Sequence, residues 1–179
     1  NDRAIAETVK GARVGQGFLK EVTGDIVKAG NWVFYTTPIT KFPVLQKIHK
    51  TVMERVVTPI GKLSIRKATL EINPTKMVNG IAPNFVHSLD ATLLAMTVLK
   101  LKEDGCTNFH LIHDSYGVPV NQVHNLNLRV RQAFKELFED KPLERWVKQV
   151  HPEYEKQAED VMINTLDLED VINSGYIFS

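Results

Sequence analysis

Residues 83–117 read PNFVHSLDATLLAMTVLKLKEDGCTNFHLIHDSYG, and this stretch decides the fold. Its first part predicts an amphipathic helix over residues 83–103, beginning at Pro83 or Asn84, because apolar side chains recur at helical spacing. The predicted apolar stripe consists of Phe85, Leu89, Leu93, Met96 and Leu99. Gly105 follows the helix at the position where a C-terminal glycine is expected.

The second part of this stretch predicts a strand over residues 109–112, a turn over 113–117 and a return strand over 118–120. The apolar strand delivers Asp114 to the turn. A carboxylate held on a rigid strand end outside the core suits Mg²⁺, which takes one or two protein carboxylates together with phosphate oxygens. The alternative is an aspartate whose side chain only caps the turn.

Elements predicted outside this stretch alternate irregularly between helices and strands. In chain order they are a helix over 3–28, a strand over 31–37, a hairpin over 52–72 with its turn at 59–62, helices over 122–139 and 142–165, and a short helix over 167–172. This order favours an α+β fold over a doubly wound parallel sheet.

The composition is that of an ordinary globular chain. Of the 179 residues, 43% are hydrophobic and 24% are charged, which excludes a disordered, collagen-like or disulfide-rich chain. The sequence shows neither an apolar run long enough to cross a membrane nor a signal peptide. Cys106 is the single cysteine, so a reducing compartment is expected. Because residue 1 is Asn rather than Met, we expect a missing start or a chain cut from a longer one.

The net charge of +1 hides an uneven distribution. Residues 41–80 carry eight lysines and arginines against two acids, whereas residues 136–179 carry eleven acids against four basic residues. A basic stretch of this kind is typical of a phosphate-binding surface. The alternative is a solvated face with an accidental bias.

Other familiar catalytic and binding motifs are missing from the sequence. His110 and His113 are three residues apart in a predicted strand, which places them on opposite faces and argues against a zinc site. No Gly-x-Ser-x-Gly elbow accompanies Ser115, so a hydrolase is not indicated. The sequence also lacks a glycine-rich phosphate loop of the P-loop or Rossmann type.

Residues 80–90, GIAPNFVHSLD, form a second motif. His87 and Asp90 lie one helical turn apart and can share a face of the predicted helix. The alternative is a capping cluster followed by a polar helix face.

These two motifs, GIAPNFVHSLD and then HDSYG at residues 113–117, together resemble the single-subunit RNA polymerases of phages and mitochondria in order and spacing. Residues 32–44, WVFYTTPITKFPV, resemble the Trp-Val-Thr-Pro and Phe-Pro-Val strand pair of that family. The ending INSGYIFS at residues 172–179 is similar to its aromatic C-terminus. The resemblance extends from about residue 20 to the end.

The resemblance implies the C-terminal part of a right-hand polymerase, with specific roles for several residues. Asp114 would be the second of two metal-binding aspartates, with His113 beside it as part of the catalytic hairpin. His87 would face the nascent base pair and the template. Positions that would support the active site are Asn84, Ser88, Asp90, Ser115, Tyr116, Phe178 and the carboxylate-bearing Ser179.

The resemblance also identifies the hairpin over residues 52–72 with the specificity loop of the family. That loop enters the promoter major groove and later lies along the transcript exit path. Its expected nucleic-acid contacts are Arg55, Lys62, Arg66 and Lys67, which accounts for the basic stretch through phosphate binding.

Four parts of the chain follow from this resemblance. In order, they are a helix plus palm strands over 1–51, a protruding basic hairpin over 52–79, a palm core with the catalytic hairpin over 80–140, and a C-terminal helical extension and foot over 141–179.

The implied activity is two-metal nucleotidyl transfer from a nucleoside triphosphate to the 3′-hydroxyl of RNA, with Mg²⁺ as the cofactor. The sequence does not contain the family's first aspartate, since Asp25, Asp90 and Asp104 lie in contexts that do not match. It does not contain the family's fingers helix either. We therefore expect a chain that is inactive alone and is completed by a second polypeptide or segment.

The other expected partners are a DNA template or promoter, the RNA transcript and nucleoside triphosphates. Association with a membrane is not expected. The expected compartment is the cytoplasm of a phage-infected bacterium, or alternatively the mitochondrial matrix.

Two alternatives stay open. A fragment of a family A DNA polymerase would share the palm and a His-Asp turn, although Glu usually follows that aspartate and Ser115 stands here. A non-catalytic nucleic-acid-binding subunit would keep the basic hairpin and would have no use for Asp114.

Overall fold

The computed structural model describes residues 10–112, 114–161 and 167–175. Over these residues the chain combines six α-helices with six short strands. In chain order the elements are α1 (Lys10–Lys28), β1 (Val33–Thr36), β2 (Pro43–Gln46), β3 (His49–Thr58), β4 (Gly61–Ile72), α2 (Pro74–Glu103), β5 (His110–Ile112), β6 (Ser115–Gly117), α3 (Val123–Glu139), α4 (Pro142–Val150), α5 (Glu155–Val161) and α6 (Leu168–Asn173), with 3₁₀ turns at Val120–Gln122 and Pro152–Tyr154.

All the strands in the described part of the chain form antiparallel hairpins of two strands each. The pairs are β1 with β2, β3 with β4, and β5 with β6. Helices pack around the first hairpin, while the second projects from the body with most of its side chains exposed. This arrangement confirms the α+β prediction.

Helix α2 begins nine residues earlier than predicted. The Asn73 side chain caps it by accepting a hydrogen bond from the Lys76 amide at 3.0 Å, and Pro74 occupies the first turn. The predicted start at Pro83 or Asn84 was wrong, because the helix already has a complete cap at Asn73. Pro83 lies inside the helix and removes one backbone hydrogen bond there without ending it.

The core is organised around a cluster of aromatic rings. Trp146 of α4 packs against Tyr35 of β1 and Phe85 of α2, with ring centroids 6.3 and 5.9 Å away. Val22 of α1 and Leu137 of α3 are also buried in this core. The first hairpin is thereby held between helices from both ends of the described chain.

The apolar stripe of α2 was predicted correctly except at its last member. Leu99 is 57% exposed, whereas Thr97 and Leu101 are buried. At about 100° of rotation per residue, Thr97 and Leu101 lie within about 80° of Leu93 around the helix axis, whereas Leu99 lies about 120° from it. Leu99 therefore falls outside the buried face.

Two further boundaries differ from the prediction. The return strand occupies Ser115–Gly117 rather than residues 118–120, because Ile112 already pairs with Ser115. The helix predicted over 142–165 is divided into α4 and α5 by the 3₁₀ turn at Pro152–Tyr154, because Pro152 lacks the amide hydrogen that a continuous helix needs there. Residues 162–166 lie outside the described part.

An ion pair between Asp104 and Arg129 helps to tie the end of α2 to α3. Arg129 binds both carboxylate oxygens of Asp104, with its Nε 2.7 Å from Oδ2. This hydrogen-bonded arginine is the main cause that holds the pKa of the Asp104 carboxyl below its ordinary value. Gly105, with φ of +84°, then ends the helix as predicted.

The Asp104→Asn substitution should flatten the acid dependence of stability. Because the pKa of Asp104 is lowered by folding, its stabilising contribution is present above about pH 4, the ordinary value for aspartate, and is lost as the pH falls through the folded-state pKa. Urea unfolding at pH 5 and pH 3 measures this difference. An unchanged difference between the two pH values in the variant would contradict the assignment.

Candidate active site

The hairpin of β5 and β6 presents Asp114 to solvent. Ile112 pairs with Ser115 and Leu111 pairs with Tyr116, so the strands are joined by a two-residue connection. Asp114 lies in that connection and is exposed, as is Ser115 at the start of β6. The carboxylate is thus held at the end of a strand pair and outside the core, as predicted. His113 lies outside the described residues.

Gly117 allows the two strands of this hairpin to approach closely. A Cβ atom built on Gly117 would lie 3.0 Å from the carbonyl oxygen of His110 and 3.1 Å from its Cβ. These distances are tighter than ordinary contacts, so a side chain here would push the strands apart. The position of Asp114 therefore depends on Gly117, the last residue of the HDSYG motif.

Tyr116 connects the hairpin to α2. Burial is the main cause that raises the pKa of its hydroxyl, and the negative charges of Asp90 and Asp114 raise it further. A hydrogen bond with the Thr97 side chain acts in the opposite direction. The hydroxyl is therefore within electrostatic reach of both carboxylates, and the hairpin lies on the Asp90 and Thr97 side of α2.

The residues of the GIAPNFVHSLD motif lie on two different faces of α2. Asn84 donates to the Gln46 side chain at 2.8 Å, and Tyr35 donates to the Ser88 hydroxyl at 3.1 Å. Both bonds tie α2 to the first hairpin. Asn84 and Ser88, which the resemblance assigned to active-site support, therefore make their described contacts with β1 and β2.

His87 and Asp90 are exposed on α2, one helical turn apart. Asp90 lies toward Tyr116 and hence toward the Asp114 hairpin. Asp90 and Asp114 thus both lie within electrostatic range of the Tyr116 hydroxyl, and His87 lies one turn from Asp90 along the same helix. This cluster is the candidate active site.

The described residues around Asp114 can supply part of a metal site but do not form a complete one. The described ranges contain no group of three or more His, Cys, Asp or Glu side chains that could hold a metal ion. Mg²⁺ binds proteins through one or two carboxylates and completes its shell with water and phosphate oxygens. An exposed Asp114 can supply one such ligand, and the remaining ligands would have to come from elsewhere.

The β3–β4 hairpin sorts its basic side chains onto two faces. Arg55 lies opposite Ser64, Met53 opposite Arg66 and Val57 opposite Lys62 in the strand register. Paired residues share a face and neighbours along a strand alternate, so one face carries all three of these basic side chains. We call it the basic face, defined by Arg55, Lys62 and Arg66.

Lys67 lies on the opposite face of this hairpin. It pairs with Val52 in the register and forms an ion pair of 3.2 Å with Glu54, on the same side as Ile65. The four basic residues predicted to contact nucleic acid therefore do not form one surface. Alternation along β4 places Lys67 on the face opposite its neighbour Arg66, and the strand register adds Arg55 to the face of Arg66.

Comparison with known proteins identifies the family of the chain. The family model for DNA-dependent RNA polymerase matches residues 2–174.

This chain belongs to the DNA-dependent RNA polymerase family.

Within that family, the resemblance to the single-subunit, phage-type enzymes is confirmed by plant relatives. The chain is 29% identical to DNA-directed RNA polymerase 2B, chloroplastic/mitochondrial, of Nicotiana tabacum, and the match covers 98% of the chain and 17% of that relative. It is 28% identical to DNA-directed RNA polymerase 1, mitochondrial, of Arabidopsis thaliana, over 99% of the chain and 18% of that relative. The chain thus spans less than a fifth of the length of these two proteins.

A shorter relative is matched along most of its length. DNA-directed RNA polymerase 1A of Nicotiana tabacum is 29% identical, over 82% of the chain and 95% of that relative. The chain is therefore homologous to nucleotidyltransferases that make RNA on a DNA template. In the described ranges, none of its helices combines the length and apolar character that a membrane span requires.

Helix α6, the last helix in the described ranges, is anchored by Arg131, a residue that no sequence motif indicated. Arg131 on α3 is buried and donates to the backbone carbonyls of Val171 at 2.8 Å and Ser174 at 2.5 Å. Its partner Val171 is 40 residues away in the sequence, so no local pattern indicated this role. Phe178 and Ser179, expected near the active site, lie outside the described residues.

The Gly117→Ala substitution should weaken the β5–β6 pairing. The added methyl group would meet the His110 backbone at about 3.0 Å, so the ladder must open or shift. Hydrogen exchange at the amides of β5 and β6 should become faster. The matched control is Gly15→Ala in α1, where a Cβ meets nothing within 4 Å and a gain of about 0.5–1 kcal/mol is expected. Unchanged exchange in Gly117→Ala would contradict this account.

Proposed function

We propose that this chain is the C-terminal portion of a single-subunit DNA-directed RNA polymerase and that Asp114 is one of the ligands of its catalytic Mg²⁺. The observation that supports this role is the exposed Asp114 carboxylate at the hairpin turn, on the side of α2 that carries His87 and Asp90. The reaction joins a nucleoside triphosphate to the 3′-hydroxyl of RNA and releases pyrophosphate.

Asp114 would hold the metal through a carboxylate oxygen, with the β5–β6 pair fixing its direction. Bound Mg²⁺ supplies activation of the 3′-hydroxyl and stabilisation of the leaving pyrophosphate. A second carboxylate and the groups that bind the triphosphate would come from another segment or polypeptide. We therefore propose that residues 1–179 are inactive alone.

The neighbouring residues would position Asp114 and the substrates. Tyr116 would hold the hairpin near α2, and His87 would face the nascent base pair and the template. His113, next to Asp114 in sequence, is proposed to share in the same hairpin. Asn84 and Ser88 would act indirectly, by fixing α2 on the first hairpin.

Phe178 and Ser179 are proposed to approach the active site from the C-terminal end. Arg131 supports this proposal because it fixes α6, which ends five residues before Phe178, against α3.

The β3–β4 hairpin is proposed to contact DNA or the transcript through its basic face. Three cations on one face of a projecting ribbon can each approach a phosphate group. Lys67 is already paired with Glu54 on the other face, so its contribution to binding should be smaller.

We propose the cellular compartment from the names of the relatives. The names of the two longer relatives place them in mitochondria or in both chloroplasts and mitochondria. They support the mitochondrial matrix over the cytoplasm of an infected bacterium as the site of action.

The Asp114→Asn substitution should abolish RNA synthesis by the complete polymerase. Loss of one metal-binding carboxylate should lower the rate by about 100-fold or more, because the metals contribute several kcal/mol to the transition state. Binding of template DNA should change little. Primer extension and a gel-shift assay at fixed salt measure the two properties.

The control for this experiment is Asp160→Asn, an exposed aspartate of α5. It should leave synthesis unchanged. Retained synthesis by the Asp114→Asn enzyme would refute the metal-ligand role and would favour a non-catalytic binding subunit.

The basic face should determine the salt dependence of nucleic-acid binding. Each of Arg55→Ala, Lys62→Ala and Arg66→Ala should reduce the slope of log affinity against log salt by about 0.9, as expected for one lost phosphate contact. Lys67→Ala is the matched control on the opposite face and should leave the slope nearly unchanged. Equal effects of all four substitutions would contradict the assignment of one binding face.

A further inference from the structure

Strand β1 has an edge that faces away from β2. In an antiparallel pair, alternate residues direct their backbone groups toward the partner strand and away from it. The Thr36 amide donates to Gln149 Oε1 at 2.8 Å, and Gln149 Nε2 donates to the Thr36 carbonyl at 3.2 Å. The backbone of Thr36 therefore points away from β2, and so does that of Phe34, two residues earlier.

Gln149 occupies this edge at one position only. Its side-chain amide makes with Thr36 the two hydrogen bonds that a residue of a neighbouring strand would make. Among the described residues, neither the amide nor the carbonyl of Phe34 has a hydrogen-bond partner beyond β1. An unpaired edge of this kind is a template for a further strand.

The open edge borders a cleft lined by both apolar and polar residues. The cleft has a volume of about 580 Å³, and its walls include Trp32, Phe34, Val150 and Pro152. Trp32 is 47% exposed and Phe34 is 54% exposed, although Val33 between them is buried. Neighbouring exposed rings beside a concave surface are typical of an interaction site.

The backbone groups at the open edge favour a polypeptide as the occupant of the cleft. The amide and carbonyl of Phe34 match the carbonyl and amide that an extended chain presents to a neighbouring strand. Of the carboxylates that line the cleft, Asp25 is paired with Lys28 at 2.8 Å, whereas Glu153 is exposed and has no ion pair among the described residues. Glu153 can therefore complement a basic side chain of a peptide whose apolar residues enter the cleft.

We propose that an extended segment of the polymerase outside residues 1–179 adds to β1 as a third strand. Its backbone would bond the Phe34 amide and carbonyl, and an apolar side chain would enter the cleft beside Trp32. The inference rests on the proposed function, in which this chain is one portion of a larger polymerase. The matched stretch is only 17% of the length of the Nicotiana polymerase 2B, so a polypeptide of the required length exists in such an enzyme.

Photocrosslinking in the complete polymerase, without nucleic acid, tests the occupant of this edge. With p-benzoylphenylalanine in place of Phe34, irradiation should link the residue to a polymerase peptide outside residues 1–179. The same substitution at Phe42, which is 70% exposed and is not part of the cleft lining, is the matched control and should give a yield lower by roughly tenfold.

Several outcomes of this crosslinking would overturn the proposal. They are a link that stays within residues 1–179, a link to a second copy of this stretch, a link that forms only with added template oligonucleotide, and the absence of any link at Phe34.

Hydrogen exchange gives a second test that does not depend on a substitution. In the complete polymerase the Phe34 amide should exchange about as slowly as the Tyr35 amide, which pairs with β2. Exchange as fast as that of an exposed loop amide would overturn the proposal. Neither test measures RNA synthesis, so a failure here is separate from a failure of the Asp114 prediction.

Discussion

Two hydrogen bonds set the rotation of α2 about its axis, and the positions of the site residues depend on that rotation. Asn84 donates to Gln46 and Tyr35 donates to Ser88, so one face of the helix is committed to the first hairpin. Residues one position away on the helix are turned by about 100°. His87 and Asp90 are therefore left exposed, on the side where Tyr116 brings in the Asp114 hairpin.

The projecting β3–β4 hairpin likewise has two faces with different roles. A two-stranded ribbon has no core of its own, and its pleat alone separates Arg55, Lys62 and Arg66 from Lys67 and its partner Glu54. One face is thereby free to bind phosphate groups. On the other face, Glu54 neutralises the charge of Lys67. The β3–β4 and β5–β6 hairpins both carry their polar side chains outside the core in which Trp146 is packed.

Local pattern in the sequence was enough to predict most elements, because periodicity and turn residues act over a few positions. It placed Asp114 at a turn and located the basic hairpin correctly. It failed at Pro83, where a proline that is typical of a helix start lies inside a helix already capped at Asn73. The roles of Gln149 and Arg131 could not be predicted either, since each bonds an element more than 35 residues away.

The central claim is that Asp114 binds the catalytic metal in the assembled enzyme. The most direct measurement is a cryo-electron microscopy structure of the complete polymerase with template, transcript, a non-hydrolysable nucleoside triphosphate and Mg²⁺. The account predicts an Asp114 carboxylate oxygen about 2.0–2.1 Å from a bound Mg²⁺. A metal site filled by other carboxylates, with Asp114 turned to solvent, would contradict it.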